Sequence, residues 1–374
     1  MNSIQFNCIK LSSNPGNKLE SGNLKAEIYH NADDPESVNR IRLVTSNAEL
    51  EIFPSKGLSV GEAFFHGKPV FWEPPIGMPN PETLDLWSDE VAINGKPAPG
   101  FTFLKTFNGG IELYGLKNWG MPVEKDGELQ LLHGETSNIP VEKVEVNLLG
   151  DNKIKITGGF YYKTFKGNPS LPWYKRGSNL CKVNRTIILH NNEKPEIELK
   201  DEFENVSETD LFVDWGYHIT FKPEVGARLN INASRAEDRS GGPVPDNYEM
   251  WTPAENTKNR TEKGIIYRGL NRFISNGMLK NKVLINRPTL GNLLISFTPA
   301  PYTQTWMCNG GANSKEFTWS KTGKPLFKKN WDGIGIEIGA SALDHNENTN
   351  PEVPVATALN PGEKTSVQIS VKSV

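Results

Sequence analysis

Hydrophobic and polar residues alternate along most of this chain. Residues 143–149 read KVEVNLL and residues 153–156 read KIKI, and similar short runs occur at 49–52, 228–231 and 367–371. A period of two is typical of antiparallel strands that bury one face. The runs are rich in β-branched residues and end at Gly, Pro, Asn or Asp, which predicts short strands joined by turns.

A few segments depart from this alternation. Residues 187–189 and 293–295 are continuously apolar, which fits either central strands buried on both faces or ordinary core strands of a sandwich. Helical periodicity is scarce: Pro35–Val38 predicts one short helical turn, and Ile265–Leu279 leaves helix and strand both open. No βαβ rhythm is present, which argues against a Rossmann-type fold.

No segment has the character of an interdomain linker, and no internal repeat is visible. The polar stretches Ser234–Asn247 and His345–Pro354 predict long loops, which often carry binding groups on a β scaffold. We therefore predict an all-β fold with two large antiparallel sheets. The whole of 1–374 is expected to form a single domain, in which N-terminal strands at about 1–40 pack on the main sandwich.

Composition and charge exclude several classes of protein. Apolar residues make up only 36% of the chain, and nine Trp, nine Tyr and seventeen Phe help to compensate, since each buries a large area. The formal net charge of −3 argues against a nucleic-acid or anionic-membrane partner. Three cysteines without a CxxC pair indicate reduced thiols. With neither a signal peptide nor a membrane-spanning run, we expect a cytoplasmic protein.

Three titratable residues stand in contexts that suit chemistry. His133 precedes Gly134 in LLHGETSNIP, and glycine lets a ligand approach the backbone closely. His218 lies in the predicted strand GYHITF, and Glu337 lies in GIGIEIG, where small residues at alternate positions leave room beside it. Burial would raise the pKa of such a carboxyl towards that of a general base. Taken singly, each residue has a structural explanation that fits equally well, such as a surface turn for His133 or a satisfied core histidine for His218.

Several further segments occur in a fixed order around these three residues. They are FPSKGL (53–58), HGKPVFW (66–72), GGI (109–111), YGLKNWG (114–120), DEFEN (201–205), Tyr217-His218, Ile336-Glu337 and NPGE (360–363). Together with LLHGETSN, their order and spacing resemble the aldose 1-epimerase, or galactose mutarotase-like, superfamily. The likeness is greatest to an uncharacterised branch with the motif LHGR-x-SN.

The resemblance implies a β-supersandwich with a concave sugar cleft, and a reaction that interconverts sugar anomers. Glu337 is expected to take the proton of the C1 hydroxyl, while His218 protonates the ring oxygen and His133 orients the substrate. Two imidazoles and a carboxylate suit this reaction because their pKa values can be set near neutrality. The implied partner is a small sugar, with no cofactor or metal, and the implied assembly is a monomer or homodimer.

The same resemblance and the need for an aromatic platform against the sugar ring predict the substrate-binding residues. These are Lys56, Asn118, Trp119, Glu135, Asn138 and Trp306. Three departures from the family pattern leave the sugar unassigned. Glu135 replaces an arginine and reverses the local charge, Lys56 replaces another arginine and loses its bidentate geometry, and Ile338 replaces a proline.

Other candidates are weaker. The aspartate that binds sugar hydroxyls in galactose mutarotases has no clear counterpart, although Asp238 and Asp246 lie in the right interval. Trp173 is a further aromatic platform. Arg176 is either a ligand for an anionic substituent such as a uronate or sulfate, or a solvated loop charge.

Three alternative functions remain open from the sequence. A non-catalytic carbohydrate-binding or sensor protein would use the same scaffold. Two histidines and a glutamate are also the ligands of a facial metal triad, although no local pair such as HxH is present. A lyase or glycosidase is the third alternative, and a glycosidase would need two carboxylates across the cleft, where only Glu337 is well placed.

Overall fold

The architecture is that of a computed structural model. It describes residues 2–7, 17–29, 39–73, 84–107, 109–125, 127–256, 258–312, 314–327, 329–341 and 356–374. The predicted helical turn Pro35–Val38 and the predicted loop His345–Pro354 lie outside these residues.

The described residues form 29 strands. In chain order they are β1 (Asn2–Asn7), β2 (Lys18–Ser21), β3 (Leu24–Tyr29), β4 (Arg40–Val44), β5 (Ala48–Phe53), β6 (Ser59–Phe65), β7 (Lys68–Pro69), β8 (Val91–Ile93), β9 (Lys96–Pro97), β10 (Gly110–Tyr114), β11 (Val123–Lys125), β12 (Glu128–Gln130), β13 (Lys143–Leu149), β14 (Lys153–Lys163), β15 (Asn179–His190), β16 (Glu196–Asn205), β17 (Leu211–Val213), β18 (Gly216–Phe221), β19 (Arg228–Ile231), β20 (Ala233–Asp238), β21 (Thr261–Leu270), β22 (Phe273–Ser275), β23 (Met278–Asn286), β24 (Leu293–Phe297), β25 (Tyr302–Asn309), β26 (Phe317–Trp319), β27 (Gly333–Gly339), β28 (Thr357–Leu359) and β29 (Lys364–Ser373).

Helical structure in the described residues is limited to single 3-10 turns. They lie at Pro54–Lys56, Thr102–Lys105, Thr136–Asn138 and Trp173–Lys175. None of the helices in the described part of the chain is long and apolar enough to cross a membrane.

Two large antiparallel sheets dominate the fold. The ten-stranded sheet has the order β1-β13-β14-β15-β16-β29-β24-β23-β19, with β22 paired to β23. The twelve-stranded sheet has the order β2-β3-β4-β5-β6-β10-β18-β27-β25-β21-β20, with β7 paired to β6. The N-terminal strands are shared between them, since β1 pairs with β13 while β2 and β3 extend the other sheet. The single-domain assignment stays a prediction.

The predicted all-β sandwich is therefore confirmed, and the alternating runs fall in β5, β13, β14, β19 and β29. The ambiguous segment Ile265–Leu279 is strand throughout most of its length, in β21, β22 and the start of β23. The expectation of a loop over Ser234–Asn247 is partly wrong. Residues up to Asp238 form β20, because they pair with β21 at the edge of the twelve-stranded sheet.

The strand β18 shows how the fold prepares a site. Tyr217 and Ile219 pack into the large apolar cluster shared by both sheets. His218 and Thr220 point to the other face, as strand geometry requires. That face is covered by a second, aromatic-rich cluster that includes Trp72, Phe107 and Trp331. Both faces of this strand are buried, so its polar residues lie in an enclosed space.

Candidate functional site

His218 and Glu337 meet in the middle of the twelve-stranded sheet. They are register partners on the neighbouring strands β18 and β27, so their side chains share one face. The Nε2 of His218 lies 3.5 Å from Oε1 of Glu337, and its Nδ1 lies 2.8 Å from Oγ1 of Thr220. Glu112 on β10 and Gln304 on β25 continue the row on either side. Four adjacent strands thus place a line of polar groups across the sheet.

Glycines keep space open around this row. Gly335 and Gly339 lie on the same face of β27 as Glu337, where the sequence predicted small residues beside the carboxylate. A Cβ at Gly335 would lie 3.0 Å from both His218 and Trp306, and one at Gly339 would lie 2.3 Å from Trp119. Because these two glycines have no side chain, Trp119 and Trp306 can pack directly against the sheet.

The turn at His133 and Gly134 brings the second histidine to the same space. Both residues have left-handed backbone angles, with φ of 59° and 67°. A Cβ at Gly134 would lie 2.5 Å from the carbonyl oxygen of Gly115, so glycine is required there. This close approach turns the chain so that His133 faces the sheet, with its ring centroid 6.2 Å from that of His218.

The orientation of His133 is fixed by its neighbours. Its Nδ1 lies 2.6 Å from the carbonyl oxygen of Trp119, which holds the proton on that nitrogen and leaves Nε2 as an acceptor. Its ring stacks on Tyr114 at 4.6 Å and meets the edge of Phe103 at 4.5 Å. The imidazole is thus held in one orientation before any ligand arrives.

These groups open into a cavity of about 370 Å³. Its lining combines the three predicted catalytic residues with aromatic walls and three further charged residues. The lining residues are Phe101, Phe103, Leu104, Phe107, Met121, Leu132, His133, His218, Arg239, Arg260, Glu262, Trp306, Phe317, Trp331 and Glu337. Concave apolar sites with a few convergent polar groups are typical of small-ligand binding.

Burial decides the protonation of both histidines. It lowers the pKa of His133 to about 4; the hydrogen bond to Trp119 opposes this shift and the charge of Arg239 adds to it. Burial, then the charges of His133 and Arg239, hold the pKa of His218 well below 6.5. Both imidazoles are therefore neutral in the empty cavity at pH 7.

The low pKa of His133 predicts a stability loss in acid. Below pH 6.5 the unfolded chain binds a proton that the folded chain excludes, so this stability is complete above pH 6.5 and is lost as the pH falls towards 4. The loss amounts to about 3 kcal/mol. Urea unfolding at pH 7 and pH 4 measures it. In His133→Asn, which tolerates the left-handed backbone, the difference between the two pH values should shrink by that amount; an unchanged difference contradicts the assignment.

Two of the predicted substrate-binding residues lie behind the cavity wall. Lys56 is 2% exposed, and its Nζ lies 3.1 Å from Glu112, 2.5 Å from the carbonyl oxygen of Thr106 and 3.3 Å from Oδ1 of Asn138. Tyr114 donates a hydrogen bond to Glu112 at 2.8 Å. Lys56 and Asn138 thus support Glu112 and the tyrosine under His133 instead of lining the cavity.

Asn118 and Trp119 are also absent from the lining of this cavity and make structural contacts. The Asn118 amide donates to the carbonyl oxygens of Met121 and Leu131, at 3.0 and 3.1 Å. The indole of Trp119 is fully buried and donates to Ser341 at 3.1 Å. Of the six substrate-binding predictions, Trp306 alone lines the cavity among the described residues.

Glu135 lies outside the cavity that holds His133, His218 and Glu337. It lies in a second cavity of about 490 Å³ on the other side of the His133 turn, where Tyr162 donates to its carboxyl at 2.8 Å. Burial raises the pKa of Glu135, and the hydrogen bond from Tyr162 opposes that shift. Glu135 therefore belongs to this neighbouring cavity.

The weaker candidates are also placed elsewhere. Asp238 accepts hydrogen bonds from Ser240, Asp246 is exposed, and Trp173 belongs to the large core cluster. Arg176 donates to loop carbonyl oxygens, which matches the solvated loop charge. Within the described ranges, no group of three or more His, Cys, Asp and Glu side chains is arranged to hold a metal ion, so the facial-triad alternative finds no matching cluster.

Sequence reasoning missed Glu112, Gln304 and Arg239. Glu112 and Gln304 are each fully buried in strands without an exposed residue, and a charged or amide group inside such a run is the available signal. Arg239 follows β20, which was expected to be loop. Its nearness to the histidines depends on an edge-strand pairing that leaves no local pattern.

The space at Gly335 gives a direct test of the geometry. Gly335→Ala places a methyl group 3.0 Å from Cε1 of His218 and from the Trp306 ring, so the histidine must shift by a few tenths of an ångström. Because small misplacements of reacting groups are costly, we expect about a tenfold loss in kcat for the reaction that we propose for this cavity, with little change in Tm. Exchange NMR and thermal unfolding measure the two effects. The matched Gly242→Ala, at a glycine without a left-handed φ where an added Cβ meets only Ser240 at 3.6 Å, controls for the loss of glycine elsewhere.

The fold is shared with solved structures of low sequence identity. A structure titled "putative aldose 1-epimerase" from Klebsiella pneumoniae is 16% identical and has a TM-score of 0.69, covering 100% of this chain and 91% of its own. A galactose mutarotase-like protein from Clostridium acetobutylicum is 14% identical, with a TM-score of 0.54 and coverage of 94% and 99%. At this identity the likeness shows the fold alone.

Sequence comparison identifies the family. A search among curated proteins found no match. The family model described as "Domain of unknown function (DUF4432)" matches residues 35–267, which include His133, His218 and most of the strands between β4 and β21. The match spans more than half of the chain. This chain, with its galactose mutarotase-like sandwich, therefore belongs to the DUF4432 family.

Proposed function

We propose that this protein is an aldose 1-epimerase-like isomerase that opens and closes a sugar ring in the cavity between His133 and the twelve-stranded sheet. The observation that carries the proposal is the contact between Glu337 and His218, register partners 3.5 Å apart in an enclosed cavity. Ring opening needs one group to take a proton from the C1 hydroxyl and another to supply one to the ring oxygen. Two adjacent titratable groups can do both.

The active form carries one proton shared by the pair. With Nδ1 of His218 donating to Thr220, Nε2 is free to exchange a proton with Glu337. The neutral pair and the ion pair are then two arrangements that hold the same number of protons. In the ion pair, Glu337 accepts the C1 proton while His218 gives its proton to the ring oxygen.

Ring closure reverses these transfers and restores the pair. The open-chain aldehyde turns about the bond between C1 and C2, and the carbonyl then presents its other face. His218 takes back the proton from the hydroxyl that attacks C1, and Glu337 returns its proton to the new C1 hydroxyl. No net proton is consumed, so the pair is ready for the next turnover.

His133 and Trp306 are assigned supporting roles. The neutral His133 is held by Trp119 and Tyr114, and its acceptor nitrogen can hold a sugar hydroxyl in place. Trp306 lies 5.4 Å from His218 between ring centroids and offers a flat apolar surface for the C–H face of the ring. The protein groups supply the acid, the base and the orientation of the substrate.

The second carboxylate in the row does not favour a glycosidase. Glu112 lies beside His218, but its carboxyl is bound to Lys56 and Tyr114 and does not line the cavity. A glycosidase would use two carboxylates that both reach the scissile bond. Glu262 also lines the cavity, but its carboxyl is paired with Arg239 and Arg260. Glu337, the lining carboxylate beside His218, fits proton exchange within one sugar ring better.

The test is anomer exchange measured by NMR on a panel of neutral, deoxy, uronic and anhydro aldoses. We expect the protein to accelerate exchange of at least one aldose, and an anhydro sugar with a blocked C1 hydroxyl to show none. Acceleration of no sugar in the panel contradicts the proposal. If binding persists without exchange, the result favours a carbohydrate-binding protein on the same scaffold.

A further inference from the structure

The wall of the cavity also carries an arginine, Arg239, at the edge of the twelve-stranded sheet. Arg239 directly follows β20, and its backbone NH donates to the carbonyl oxygen of Gly264 at 2.9 Å. A Cβ at Gly264 would lie 2.9 Å from Nε and 3.1 Å from Cζ of Arg239. The guanidinium therefore lies against the bare backbone of β21. Gly264 is also the register partner of Trp306, so the arginine adjoins the proposed sugar platform.

A chain of ion pairs holds this guanidinium in place. Glu262 accepts from both Arg239 and Arg260. Arg260 is further bound by Glu316 at 3.1 Å and lies over the Phe317 ring at 4.9 Å. Arg260 thus pairs with two carboxylates, and Glu262 pairs with both arginines. Arg239 is the more exposed of the two arginines, at 27% against 17%, and its planar fork can meet a second anion.

The positive charge of Arg239 lies in the cavity lining, together with both histidines and Glu337. It acts on His133 and on His218, and in each case it lowers the pKa. An anion placed beside Arg239 would therefore find a favourable potential, and it would relieve the repulsion that disfavours a proton on His218.

We propose that Arg239 determines substrate specificity by binding an anionic substituent of the sugar, so that the cavity takes acidic aldoses of the hexuronate class. The inference rests on the proposed function and deepens it by naming the substrate class. A carboxylate is the anion that best matches the planar guanidinium fork. A sugar ring on Trp306 would have Arg239 at its side, because the arginine lies against Gly264, the register partner of Trp306.

The experiment compares matched sugars in wild type and variants. Exchange NMR gives kcat/KM for galactose and galacturonate, which differ only in the anionic group. We expect wild type to favour galacturonate by about tenfold or more, and Arg239→Gln to bring the ratio close to one. Arg239→Lys keeps the charge without the fork and should give an intermediate ratio. Arg235→Gln, an exposed arginine on β20, should leave the ratio unchanged.

The outcomes separate this inference from the proposed function. If wild type exchanges both sugars equally, or Arg239→Gln lowers both equally, the inference is overturned and the isomerase proposal stands. If no sugar is exchanged, the isomerase proposal fails, and titration calorimetry with galacturonate decides the inference. Galacturonate binding that weakens about tenfold in Arg239→Gln supports it; absent binding, or binding unaffected by the substitution, overturns it.

Discussion

Replacing Glu337 by glutamine is expected to lower the rate of anomer exchange by about 10²- to 10⁴-fold, the usual contribution of a positioned acid or base. Glutamine keeps the size and the register of the side chain between His218 and Gln304. It removes the carboxylate that we propose both accepts the C1 proton and shares a proton with His218. The measurement is exchange NMR with the best aldose of the panel, together with thermal unfolding to show an intact fold.

Two control variants make the Glu337 result specific. Glu145→Gln changes an exposed glutamate on β13 and should leave the exchange rate unchanged. Glu112→Gln changes the other buried carboxylate beside His218 and should lower the rate less than Glu337→Gln, since Glu112 is bound to Lys56 and Tyr114. A rate in Glu337→Gln equal to wild type would rule out Glu337 as the base. A larger loss in Glu112→Gln would transfer that role to Glu112.

Replacing Asp201 by asparagine is expected to destabilise the fold by about 3–5 kcal/mol, because it leaves a buried arginine without its counter-charge. Arg185 and Asp201 are 1% and 0% exposed and form two parallel hydrogen bonds of 2.7 and 2.6 Å. Tyr217 donates a third hydrogen bond to the same carboxylate. Arg185 also donates to the carbonyl oxygen of Gly57 at 3.0 Å. Urea unfolding at pH 7 measures the loss.

The location of this ion pair explains why the effect should be large. Arg185 and Asp201 belong to the ten-stranded sheet, whereas Tyr217 and Gly57 belong to the other side of the sandwich. The pair therefore joins the two sheets. Replacing both charges, in Arg185→Met with Asp201→Leu, should cost less than Asp201→Asn alone, since no unpaired charge remains buried. A loss below about 1 kcal/mol in Asp201→Asn would show that Arg185 finds other compensation.

The sequence predicted the sandwich because strand periodicity is local. Each alternating run carries its own signal, and glycines at alternate positions around Glu337 indicated space beside it. The left-handed turn at His133 was also foreseeable from the glycine that follows. These features depend on neighbours within a few residues, and so a single sequence contains them.

The lining of the cavity was harder to predict, because the sequence of a fully buried strand does not show which of its two faces borders the cavity. In β10, β18 and β27 every residue is buried, so alternation between apolar and polar positions no longer marks the inner face. Lys56 and Trp119 were assigned to the substrate from motif positions, yet they pack behind the wall. Arg239 reaches the site only through the pairing of an edge strand.

The backbone ladder between β18 and β27 has a consequence for how this site can change. His218 and Glu337 are fixed by inter-strand pairing, whereas much of the remaining lining comes from segments outside the large sheets, among them Phe103, His133 and Trp331. Insertions and substitutions in those segments can reshape the cavity without altering the distance between the two groups. Grafting them onto this sheet from other family members should therefore change which ligand the cavity accepts while the contact between His218 and Glu337 is kept.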